Sequence, residues 1–236
     1  MSDLFFNYIA ENSDPERWSV YGKLAYPKRY HRHNYQQLPN VNHQTNLTID
    51  EVLKKRCSSR TFSGKAVSLQ LLAELLETAL RRTRKDCAVF SPYPSGGALY
   101  PLEIYFLANN VKGLEPGLYH YHAEKHEIAQ LKAVHLSLEL QTQYFGEHLK
   151  TVAPLIFLHT YSKHRNVQKY GARGYLLAIL EAGHQAQNLC LVASSTGLGS
   201  CCLCPIRYKL LNELLEVDGH TEHYLYTVAV GYTNEA

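Results

Sequence analysis

The apolar positions of this 236-residue chain fall into two rhythms. From Ser68 onward, Leu69, Leu72, Leu76, Ala79 and Leu80 recur at helical spacing. They predict a helix with one buried stripe, with Arg81, Arg82 and Arg84 in its last turns. LEIYFLAN (102–109), APLIFLHT (153–160) and HYLYTVAVGY (223–232) are apolar, rich in β-branched and aromatic residues, and predict strands. GLYHYH and EIAQLK predict a hairpin around AEKH. Helices are expected over about 136–149 and 208–216, with SCCLCPI a strand between the long helix and the last one. From Gln168 to Cys201 most of the chain reads as one long helix, with Gly197 or Gly199 as its C-cap. Near the start of the body, Thr48 and Glu51 form a capping-box pattern for a short helix. Helices and strands mix without regular βαβ alternation, so the expected class is α+β.

Residues 1–46 lack either rhythm. They are rich in Tyr, His and Asn, interrupted by Pro15, Pro27 and Pro39, and read as an arm that packs on something else, such as a partner subunit. The globular body is expected over 47–236.

Charge and cysteine content narrow the picture further. A formal charge of +3 is too small to suggest nucleic acid, and the basic cluster YPKRYHRH reads as a solvated segment. No apolar run approaches the roughly 18 residues that span a bilayer. The N-terminus lacks a basic start and a signal-peptide core, so a cytoplasmic protein without membrane contact is expected. The six cysteines are then reduced thiols. Cys201 and Cys204 have C-x-x-C spacing, but no second ligand pair follows. Small buried thiols on a strand, with no metal site, is the expectation.

Three segments offer candidate chemistry. RCSSRTF (56–62) carries Arg56, Ser58 and Arg60, forked donors and a hydroxyl suited to a phosphate. PYPSGGALYP (92–101) holds Ser95, Gly96 and Gly97 in a tight turn whose bare backbone lets a flat ligand approach. TGLGS (196–200) ends the long helix and exposes further amides, including those of Leu198 and Gly199. Taken singly, each also fits an ordinary loop, turn or helix end. No G-x-G-x-x-G, P-loop or nucleophile elbow is present.

Taken together and in order, Arg-x-Ser-x-Arg, PYPSGGALYPLEIYF, GLYHYH, KYGARGY, EAGHQAQNL and GLGS resemble the flavin-dependent nitroreductase superfamily. The closer likeness is to the SagB-type dehydrogenases, which include the azoline oxidases of thiazole/oxazole-modified microcin biosynthesis. The resemblance covers about 47–232 and implies a nitroreductase-like FMN-binding fold. Such a fold is an antiparallel sheet flanked by helices, assembled as an intertwined homodimer with FMN at the interface. Arg56, Ser58 and Arg60 match its phosphate and ribityl motif. Ser95, Gly96 and Gly97 match its ring-approaching turn, contributed by the second subunit in many relatives. Leu198 and Gly199 match its backbone contacts to the ring. Two departures stand out: the chain ends VGYTNEA without the family's basic residue, leaving Arg207 as a substitute, and Leu176 stands where some relatives carry a basic residue, leaving Arg173 to supply charge.

The resemblance also assigns Lys169 and Tyr170, which match the Lys-Tyr pair held to act in azoline oxidases. Conversion of an azoline to an azole removes a proton from carbon and a hydride. FMN accepts the hydride, and a neutral lysine takes the proton. Partial burial and the nearby Arg173 are expected to lower the Lys169 pKa. The implied function is FMN-dependent dehydrogenation of peptide thiazolines or oxazolines, with cyclodehydratase subunits and a leader-bearing precursor peptide as partners. The alternatives are a nicotinamide-dependent nitroreductase or quinone reductase, and a flavin-free scaffold subunit of a biosynthetic complex.

Overall fold

A computed structural model of the chain describes residues 27–41, 45–85, 88–205 and 207–234. Its centre is a seven-stranded sheet, and every pairing in it is antiparallel. In chain order the strands are β1 (Tyr35–Gln37), β2 (Leu102–Ala108), β3 (Gly117–His122), β4 (Glu127–Ala133), β5 (Leu155–Ser162), β6 (Gly199–Leu203) and β7 (Glu222–Gly231). Across the sheet they run β1-β4-β3-β2-β5-β7-β6. The helices are α1 (Ile49–Lys55), α2 (Leu69–Leu80), α3 (Leu138–Phe145), α4 (Val167–Tyr170), α5 (Arg173–Ser195) and α6 (Tyr208–Leu215).

The period-two alternation of β2 explains why helices cover both faces. Ile104, Phe106 and Ala108 point into a core shared with α2 and α5. Tyr105 and Leu107 point into a second core with Phe145 of α3 and Leu211, Leu214 and Leu215 of α6. Phe106 stacks on its cross-strand neighbour Tyr119 with ring centroids 5.2 Å apart. The result is an antiparallel sheet flanked by helices, of class α+β.

Three elements differ from expectation. The helix α2 stops at Leu80, so Arg81, Arg82 and Arg84 lie outside its last turn. Arg81 turns extended, and the Arg82 amide is drawn to the Ala123 carbonyl at 3.1 Å. The long helix is broken: α4 is a separate single turn, and Gly171 (φ 55°) breaks the path before α5 begins at Arg173. At its other end α5 closes as expected on a glycine: Gly197, directly after the C-cap Thr196, takes the left-handed conformation (φ 77°), whereas Gly199 already belongs to β6.

The arm is the third difference. Its described part packs on the same chain: Tyr35–Gln37 pairs antiparallel with β4 along the edge of the sheet. Lys28 anchors it, with Nζ 2.8 Å from the Glu222 carboxylate and its amide donating to Glu103 Oε1 at 2.8 Å. Residues 1–26, which carry most of the proposed docking element, lie outside the described residues. Beneath the anchor is a buried ionic cluster. Glu103, 1% exposed, accepts from His120 Nε2 at 2.8 Å and pairs with Arg165.

Candidate active site

The turn 95–98 is built from inside. The Ser95 hydroxyl donates to Glu181 Oε2 of α5 at 2.5 Å and accepts the Tyr100 amide at 2.9 Å. Its single proton is committed to the carboxylate, so the turn offers a ligand backbone rather than a serine hydroxyl. Gly96 lies against Leu177: a Cβ there would meet Leu177 Cδ1 at 3.0 Å. Gly97 has φ 64°, and a Cβ there would stand 2.6 Å from Tyr170 Oη and 2.8 Å from Lys169 Nζ. Two segments more than 70 residues apart thus meet, and the bare glycine face lies against the polar ends of Lys169 and Tyr170.

Asn166 holds that pair. It is 1% exposed, and its carbonyl accepts the amides of Lys169 and Tyr170 at 3.1 and 2.9 Å. Its side chain accepts the Tyr161 hydroxyl at 2.7 Å and donates to the Gly174 carbonyl at 2.8 Å, tying α4 to β5 and to the start of α5. Lys169 and Tyr170 are both half-buried, and the ammonium lies 5.3 Å from the Tyr170 ring centroid. Arg173 is exposed at the first position of α5.

A second cluster lies beyond the far end of α5. Ser58 forms a parallel bridge with Ser200, and the Ser59 amide donates to the Ser200 carbonyl at 2.8 Å. Gly199 permits this approach, since a Cβ would meet Ser59 Oγ at 2.6 Å and Thr233 Cγ2 at 2.4 Å. Arg56, Ser58 and Arg60 are therefore brought together with Leu198 and Gly199. Among the described residues Arg56 and Arg60 enter no ion pair. The two guanidinium groups and the exposed Ser58 sit on the segment that this bridge brings to the start of β6, and their donor types suit a phosphate such as that of FMN. Arg207 does not join it: it stands ahead of α6, beyond the opposite end of β6, and donates to the Gln143 carbonyl at 3.3 Å. Cys201 is buried on β6, whereas Cys204 lies past the strand and is exposed.

The structure does not bring all the expected site residues to one place. The 23 residues of α5 make a rod of about 34 Å, with Lys169 and Tyr170 before one end and Leu198 and Gly199 past the other.

Sequence reasoning missed Glu181. It is the carboxylate on the otherwise small or amide-bearing stripe Ala178, Ala182, Gln185 and Ala186, which is the signal that could have exposed it. Burial raises its pKa to about 7, against the opposing effects of Ser95, Arg82, Arg165 and Gln185. A carboxyl raised in the fold binds its proton more tightly than in the unfolded chain. Stability should therefore fall as pH rises from the ordinary carboxyl range through 7. Glu181→Gln is expected to flatten that fall, read as urea midpoints at pH 5.5 and 8. Equal slopes in parent and variant would show that Glu181 does not titrate there.

Comparison with known proteins gives this geometry a family. The sequence profile described as "Nitroreductase family" matches residues 53–232. A nitroreductase-family protein of Methanocaldococcus jannaschii is 32% identical over 181 residues, covering 77% of this chain and 89% of its own. The microcin B17-processing protein McbC of Escherichia coli is 31% identical over 139 residues, covering 56% of this chain and half of McbC. The E. coli microcin synthetase McbBCD complex, solved with truncated pro-MccB17 bound, contains a chain of the same fold. It aligns with a TM-score of 0.64 at 21% identity, over 96% of this chain and 97% of that one. Among the described residues, no helix is long and apolar enough to cross a membrane. With its profile match over most of its length and its antiparallel helix-flanked sheet, the chain belongs to the nitroreductase family of oxidoreductases.

Proposed function

We propose that this protein is an FMN-dependent dehydrogenase that oxidises peptide thiazolines or oxazolines to azoles, as a cytoplasmic homodimer. In this reading it works beside cyclodehydratase subunits on a leader-bearing precursor peptide. The observation that carries the proposal is the contact of the Gly97 turn with Lys169 and Tyr170, which an ordinary nicotinamide-dependent reductase has no evident use for. Kinship to McbC supports the peptide class of substrate.

The distance along α5 supports a site shared between two copies. Arg56, Ser58 and Arg60 would hold the phosphate, and the amides of Leu198 and Gly199 would line the ring edge. The turn at Ser95–Gly97, with Lys169 and Tyr170, would come from the second copy. Apolar side chains exposed on α5 (Tyr175, Ile179, Leu180) and on α1 (Ile49, Leu53) supply surface for that association. FMN supplies the hydride acceptor. Lys169 takes the proton from the ring carbon at Nζ, while Tyr170 Oη hydrogen-bonds the lysine or polarises the ring nitrogen. The backbone of the glycine turn leaves room for a flat heterocycle beside both groups.

The test is anaerobic mixing of the flavin-loaded protein with an azoline peptide. Bleaching of the flavin and formation of the azole are the expected results. Bleaching by NADPH with none by the azoline peptide would make it a general reductase. A colourless protein that does not take up FMN would remove the enzyme reading altogether.

A further inference from the structure

Cys190 on α5 and Cys202 on β6 have no part in the proposed reaction, yet their sulfurs lie 3.5 Å apart. Strand alternation selects this pair. Cys201 points to the opposite face of the sheet, among Phe62 and Leu211, and Cys202 packs on the α5 side. Cys190 is 3% exposed and Cys202 half-buried, so the pair is reachable from one side. Cys57 and Cys204 are exposed with no sulfur partner among the described residues.

We infer that Cys190 and Cys202 are a reversible oxidation site that forms a disulfide under hydrogen peroxide. The closed ring would contain Thr196–Ser200, the turn that carries Leu198 and Gly199. Closing it requires the sulfurs to approach from 3.5 Å to about 2 Å.

The chemistry needs one two-electron oxidant. The Cys190 thiolate attacks a peroxide oxygen; the O–O bond breaks, an S–O bond forms, and hydroxide leaves and is protonated to water. The Cys202 sulfur then attacks the Cys190 sulfur. The S–S bond forms, the S–O bond breaks, and the second oxygen leaves as water. Two thiols lose two electrons and two protons, and one peroxide becomes two waters. Cys190 is suited to the first step: its hydrogen bond with Cys202 lowers the thiol pKa against burial, and Ser200 and the Arg56 guanidinium act in the same direction. Reoxidation of reduced flavin by dioxygen would yield peroxide beside this pair, but the inference stands without it because peroxide can be added.

The experiment treats the purified, flavin-loaded protein with hydrogen peroxide, quenches it, and alkylates it in denaturant with iodoacetamide before peptide mapping. The expected result is loss of label at Cys190 and Cys202 together, with one crosslinked peptide pair that dithiothreitol separates. Cys201→Ser should leave that crosslink intact. In Cys202→Ser, Cys190 should stop at the sulfenic acid and be trapped by dimedone. Full labelling of both thiols after peroxide would overturn the inference. So would a crosslink through Cys201 or Cys204, or separate over-oxidation of Cys190 with Cys202 still free. None of these readouts depends on azoline oxidation, so failure here and failure of the proposed function are distinguishable.

Discussion

Lys169→Ala should yield a protein that stays yellow and folded but forms azole about 10²- to 10⁴-fold more slowly, the range a positioned general base contributes. The structure supports both halves of this result. Lys169 is half-buried on a single helical turn, and its amide donates to the Asn166 carbonyl, an anchor that truncation of the side chain leaves in place. The residues proposed to hold the phosphate lie beyond the other end of α5, which is why flavin occupancy should survive. Single-turnover oxidation of an azoline peptide measures the loss, and the bound-flavin spectrum measures the retention. Near-normal turnover would remove Lys169 from the chemistry. Loss of turnover together with loss of flavin would make it structural.

The second large effect concerns stability. Arg165→Ala should cost about 3–5 kcal/mol at neutral pH, because it strips the buried Glu103 of its charged partner. Arg165 is buried, pairs with Glu103, and donates to the Tyr100 carbonyl at 3.0 Å. Burial alone would raise the Glu103 carboxyl, but Arg165 and the hydrogen-bonded His120 overcome it and hold it well below the usual range. For a depressed carboxyl, the stabilisation is present above the unfolded value of about 4.3 and is lost as pH falls through the folded one. In the variant, Glu103 loses that advantage and takes up a proton more readily, so the gap between parent and variant should narrow in acid. Urea unfolding at pH 7 and pH 4 measures both. A cost under about 1 kcal/mol would mean that the pair is as weak as a surface one.

Much of the sheet was legible because β2, β5 and β7 are apolar enough to be buried on both faces, leaving long runs that only a strand or a core helix explains. The capping box was legible for a local reason: Thr48 and Glu51 satisfy each other within one turn. The break at Gly171 was not. A lone glycine inside an apolar helix costs only about 1 kcal/mol, and the contacts of Asn166 with Tyr161 and Gly174 decide the matter. The edge strand Tyr35–Gln37 carries no alternation, and its place depends on Lys28 reaching Glu103 and Glu222, far along the chain. The candidate site divides in the same way. The donor types of Arg56, Ser58 and Arg60 could be read from the residues themselves. The commitment of Ser95 to Glu181 spans 86 positions and could not.

The helix α5 joins the two clusters as a ruler as well as a wall. Inserting a single residue near its middle would lengthen it by about 1.5 Å and turn one end against the other by about 100°. The sheet contacts at Leu189 and Ala193 would then lose register with the Ser95 contact at Glu181. Substitutions on its exposed side are graded perturbations, but a change of length is all or none. The 23-residue count is as much a constraint on this sequence as any side chain it carries.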